Sequence, residues 1–301
     1  MLENSKLKKT ALAQLKNRWT IPLVAAFAAE TVSFLLSIIK NNLPDKDGIS
    51  FLFFIFTQIC SAIFSFASLK VCFTLTKTQK PISFSDYTES FTQWLPAVLA
   101  KIWSWLWITI WSLIIVIPAS FIFILSCGIS LMKNFDMETM QFNGNFNFDS
   151  LESGEFFKTM FTDYLGLAIL MIVILFALLI MIIYKTIQYG EMRLVIAEHK
   201  KVSVRKAMRI SIEIMKGHKA EKLGLDVSFL GWLILASVPF FFKSSLAKLI
   251  SEKPASLIIS LITTITFSLV VPYIATTKAN FYNAVMNEAI ASGKIKPEDL
   301  Q

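Results

Sequence analysis

Four stretches of this chain run the length of a membrane crossing without a single charged side chain: residues 48–69, 102–132, 164–184 and 254–277. Crossing hydrocarbon takes about 20 apolar residues in a helix, because the helix satisfies its own backbone polar groups where water cannot. A fifth stretch, 20–39, is interrupted only by Glu30. A sixth, 227–242, is long enough when it begins near Gly224 and carries Asp226 at its membrane entrance. The sequence therefore predicts an all-α fold, a polytopic helical bundle forming a single transmembrane domain over residues 1–301. Six spans are expected near 19–39, 50–70, 97–126, 164–186, 224–242 and 254–277, with amphipathic interfacial helices beside them. A composition of 55% hydrophobic and 17% charged residues excludes an ordinary soluble domain. The first apolar run comes after an N-terminal arm and lacks a small-residue cleavage site, so it is expected to remain as an anchor.

Orientation follows from where Lys and Arg fall. The N-terminal arm, the second and fourth connections and the C-terminal tail hold 21 of them, and the alternate connections hold 7. By the positive-inside rule both termini are expected in the cytoplasm of a cell whose cytoplasmic membrane holds the chain. Residues 133–163 then form an external loop, acidic through Asp136, Glu138, Asp149, Glu152, Glu155 and Asp163. Their loose spacing does not match a calcium-binding loop.

The densest charge lies in a basic cytoplasmic connector, residues 185–222, where ten Lys/Arg face four Glu. Within it Val204, Met208, Ser211, Ile212 and Met215 share one helical face. Arg205, Lys206, Arg209, Glu213 and Lys216 share the other. Ser203 is a candidate N-cap, Gly217 suits a left-handed C-cap, and Glu213 can pair with Arg209 or Lys216. A basic amphipathic helix next to spans is expected to lie in the headgroup layer with its apolar face at the acyl boundary. Arg205, Lys206, Arg209 and Lys216 are thus candidate contacts for anionic lipid. The bland alternative is a connector that obeys the charge rule and nothing more.

Other features point to packing or to a polar pathway. In the arm LKKTALAQLKNRW, Leu7, Ala11, Leu12, Leu15 and Trp19 share a face, as expected of an interfacial helix. Ser83 and Asp86 form a capping pattern before a short helix whose Phe84, Tyr87, Phe91 and Trp94 align. Glu30 and Lys101 are the candidate intramembrane polar site, as an ion pair or separately, with Lys101 free to snorkel. Thr57, Ser61, Ser65 and Ser68 line one face of the second span. Ser256, Ser260, Thr264 and Ser268 line the sixth. Such stripes serve helix packing or line a path. Trp103, Trp107 and Trp111 recur every four residues, as a packing stripe or as a platform for sugars or cations. Pro118 interrupts the long third run, so residues 119–132 are expected to form a second half-helix or a re-entrant segment.

No phosphate-binding Gly-rich loop, HExxH, CxxC or GxSxG motif occurs. Cys60, Cys72 and Cys127 lack metal-ligand spacing, and His199 and His218 sit among lysines. No catalytic residue, cofactor, metal or nucleic-acid partner is expected, and the chain is read as not an enzyme.

Several segments together carry a resemblance: the LKKTALAQLKNRW arm, KPISFSDYTESF before the third span, SLIIVIP at 112–118, IMKGHK at 214–219, LDVSFLGW at 225–232 and ANFYNAV at 279–285. In this order and spacing the chain resembles a bacterial integral-membrane family catalogued as domain of unknown function 975. The resemblance implies about six helices with cytoplasmic amphipathic connectors, and no activity. It also implies a sharp turn after the proline, often as Pro-Gly, where this chain has Ala119. The expected partners are the lipid bilayer, anionic lipids above all, and a membrane-protein partner or a second copy of the chain. Two functions fit: membrane or envelope homeostasis through such contacts, or transport of a small solute or lipid along Glu30 and the hydroxyl faces.

Overall fold

A computed structural model describes residues 3–42, 47–133, 135–136, 141–142 and 165–300. The chain is helical nearly throughout. In order the helices are α1 (Asn4–Leu15), α2 (Thr20–Asn42), α3 (Asp47–Lys77), α4 (Phe84–Ser90), α5 (Trp94–Lys133), α6 (Leu165–Tyr189), α7 (Met192–Glu198), α8 (Val204–Ile214), α9 (Lys219–Val227), α10 (Leu230–Phe241), α11 (Lys243–Ile250) and α12 (Glu252–Ala291). A two-residue antiparallel pairing, Phe135–Asp136 with Gln141–Phe142, is the only strand pairing among the described residues. The rest of the expected acidic loop lies outside them. Six stretches are long and apolar enough to cross a membrane: Thr20–Lys40, Gly48–Lys77, Phe84–Ile122, Ile169–Glu198, Lys219–Ile250 and Glu252–Ala291.

The helices group into two compact units, Met1–Ser104 with Ile187–Gln301, and Trp105–Thr186. In the first, α2 and α3 pack on each other and on α12, while α10 and α11 pack on α12 as well. Burial there is uneven in a telling way. Leu15, Ala67, Val71, Leu75, Ile82 and Tyr87 form a closed core around the chain segments nearest the N-terminus. Along α2, α3 and α10, by contrast, large apolar side chains such as Phe51, Ile234 and Phe241 stand open. An aqueous surface does not carry that much contiguous apolar area, whereas lipid accepts it.

Local signals explain several elements. Asp86 accepts the Ser83 N–H at 2.7 Å and closes the capping box of α4. Ser203 caps α8 by accepting the Lys206 N–H at 3.4 Å, and Gly217 takes φ +92° past its end. Asn17 turns the chain at φ 62°, letting Arg18 donate to the Thr78, Lys80 and Leu75 carbonyls at 2.6, 3.1 and 3.4 Å. A cation suits the end of α3, where backbone carbonyls lack helical partners.

Three expectations change. The apolar face of the N-terminal arm is partly taken up by protein: Ala11 and Leu15 are fully buried while Leu12 stays 47% exposed, and α1 packs on α3, α9 and α12. Pro118 does not end its helix; α5 runs through it for 40 residues, about 60 Å of rise. Alanine at 119 keeps ordinary helical geometry where a glycine would favour a turn. Finally, the aromatic stripe before the third span splits, with Tyr87 buried and Phe84 and Trp94 exposed.

Candidate functional site

The basic helix α8 is amphipathic as its spacing predicts, but its apolar face meets protein. Ala207, Met208, Ile210, Ser211 and Ile214 are buried, and α8 packs on α7 and α12. The face expected at the acyl boundary is therefore covered, because α7, itself buried through Met192, Leu194, Val195 and Ile196, supplies a closer apolar surface. Only the cationic face is left outward.

Its four candidate lipid contacts differ. Arg205 lies over the Trp103 ring, 5.1 Å from its centroid, and Lys206 donates to the Glu298 carbonyl at 3.3 Å. Lys216 pairs with Glu213 at 2.7 Å. Arg209 is exposed and has no partner among the described residues. The tryptophan stripe is thus met by cations of the chain itself, since Lys185 also lies 3.7 Å from the Trp111 ring centroid.

Glu30 and Lys101 are not brought together. Glu30 is half-buried on α2 and makes no hydrogen bond or ion pair among the described residues. Lys101 instead reaches α3, donating to the Gln58 carbonyl and to Ser61 Oγ, both at 3.4 Å. Near it stands a residue the sequence did not single out. Arg193, half-buried on α7, donates to Ser65 Oγ at 3.0 Å, one helical turn from the Ser61 that Lys101 reaches. The hydroxyl stripe of α3 thus meets two cations. The stripe on α12 turns inward: Thr264 and Ser268 are buried, and Ser268 donates to the Thr264 carbonyl at 2.7 Å.

Sequence reasoning also missed a buried ion pair. Lys222 and Glu191 meet at 2.6 Å with side chains only 6% and 1% exposed, and the ammonium lies 5.1 Å from the Phe281 ring centroid. The two lie 31 positions apart in a segment otherwise read as solvated, so no local periodicity marks them. Glu198, at the end of α7 and beyond the apolar run of α6, gathers Lys77 at 2.6 Å, the Tyr282 hydroxyl at 2.7 Å and His199 at 3.5 Å. His218 faces Glu221 at 3.0 Å and Glu288 at 3.4 Å. Among the described residues no cluster of His, Cys, Asp and Glu could hold a metal ion.

Comparison with known proteins returns one family. The model of the family described as Protein of unknown function (DUF975) matches residues 1–289, so the chain belongs to that family. No curated protein and no solved structure matches.

Proposed function

We propose that this is a non-enzymatic, multi-pass protein of the bacterial cytoplasmic membrane, with both termini in the cytoplasm, acting in membrane or envelope homeostasis. It works through contacts with anionic lipid and with a protein partner or second copy, made by the outward face of α8. One observation carries this reading. The apolar side of α8 is consumed by packing, so Arg205 and Arg209 are held outward on a rigid element, with Lys216 exposed in the turn just past its end. Clustered cations in that position attract acidic headgroups by about 1 kcal/mol each near the surface.

The test is native mass spectrometry of the purified protein carrying bound phosphatidylglycerol. Neutralising Arg205, Lys206, Arg209 and Lys216 together to Gln is expected to remove most of the retained lipid while the protein stays folded. Retention equal to the parent's would defeat the reading. A second reading, transport of a small solute or lipid, draws on Glu30, a half-buried carboxylate without a partner among the described residues. In liposomes Glu30→Gln should then abolish any flux the parent supports, and unchanged flux removes Glu30 from the mechanism.

A further inference from the structure

Lys101 and Arg193 form a pair that stability alone does not explain. Both are half-buried, both donate to serines one turn apart on α3, and no ion pair among the described residues involves either. Three other cations of the same unit are matched: Lys222 by Glu191, Lys77 by Glu198 and Lys278 by Asp226. Donor chemistry sharpens the contrast. Arg193 has five N–H groups and uses one, on Ser65. Lys101 has three and makes two contacts at the long limit of hydrogen bonding. Ser61 accepts from Lys101, while its own O–H meets no acceptor among the described residues. The cluster therefore presents surplus donors and positive charge, and lacks an acceptor of matching charge. A tetrahedral oxyanion supplies what is missing, with several acceptor oxygens and one or more negative charges, and a guanidinium fork suits it geometrically.

We propose that Lys101 and Arg193, with the hydroxyls of Ser61 and Ser65, bind a phosphate-type oxyanion, carried on an anionic lipid headgroup or present as free phosphate. The surroundings accommodate the lipid form. Phe54, one turn beyond Gln58 on the same stripe of α3, is 55% exposed, and Ile102 beside Lys101 is 51% exposed. Both offer apolar surface to an acyl chain. Gln58 contributes its carbonyl to hold the Lys101 ammonium in place. This site goes beyond the contact proposed for α8 and stands on different residues, so each can fail alone.

The experiment is a thermal-unfolding titration of the delipidated full-length protein in detergent. The probes are dioleoylphosphatidylglycerol, dioleoylphosphatidylcholine and inorganic phosphate. The parent should show a saturable rise in Tm with phosphatidylglycerol or with phosphate and little with phosphatidylcholine. Binding to a folded state raises stability in this concentration-dependent way. Lys101→Gln with Arg193→Gln should weaken the apparent affinity at least about tenfold, the scale expected when charged hydrogen bonds are lost. Arg193→Lys, which keeps the charge and loses the fork, should fall between. The variant neutralised on α8 should retain the saturable response. A response to lipid alone assigns the headgroup as the ligand, and a response to phosphate as well assigns the free ion. No rise with either probe overturns the site, as does a double variant that matches the parent. If the double variant does not fold, Ser61→Ala is read instead; a weakened affinity supports the site and an unchanged one overturns it.

Discussion

Two charge clusters of the same unit invite comparison. At Glu191 and Glu198 each carboxylate holds a cation: Lys222 and Glu191 meet at 2.6 Å in a nearly dry setting, and Lys77 meets Glu198 at the same distance. Around Ser61 and Ser65, Lys101 and Arg193 meet only hydroxyls and a carbonyl. The first cluster ties α3, α7, α9 and α12 together and reads as architecture. The second holds like charges on serines one turn apart, without a carboxylate beside either among the described residues. Matching of charge, more than burial or exposure, separates the residues that hold this fold from those offered to a ligand.

Breaking the matched cluster should cost most. Lys222→Ala leaves Glu191 buried without its partner, and losses of roughly 3–5 kcal/mol are usual for such a change. Chemical unfolding in detergent would report it. A loss under about 1 kcal/mol would mean the pair is hydrated and the contrast weaker than drawn.

Glu198→Gln should cost less, about 1–2 kcal/mol, since it weakens the charged contacts with Lys77 and the Tyr282 hydroxyl in a partly exposed setting. Chemical unfolding of parent and variant would report it, and equal stability would remove Glu198 from the structural residues.

In the unmatched cluster the expected sign reverses. Lys101→Met in anion-free detergent should leave stability unchanged or raise it by about 0.5–1 kcal/mol, since it removes a half-buried charge with no carboxylate beside it among the described residues. A marked fall would place Lys101 with the structural residues. Smallest of all, Arg209→Gln should shift stability by under about 0.5 kcal/mol, as exposed substitutions do, while still reducing retained phosphatidylglycerol.

Much of the scaffold was legible because it is written at short range. Uncharged runs located the apolar helices, Ser83 with Asp86 opened α4, and Ser203 and Gly217 bounded α8. Charge periodicity found the outward face of α8 but not the fate of its inward face, because spacing shows that a face is apolar without showing whether lipid or protein will cover it. The candidate polar site was half visible: Lys101 stood out inside an apolar run. Arg193 did not, because it was one basic residue among ten.

What the sequence by itself determined is thus the solvent each segment requires, since transfer of charge and apolar area is a property of composition over about 20 residues. The tertiary structure alone decided the pairings. Lys101 turned from Glu30 toward Ser61, Lys222 found Glu191, and Arg193 arrived at Ser65 across 128 positions. Coulombic and hydrogen-bond energies act over a few ångströms, and only the packing of helices sets those distances.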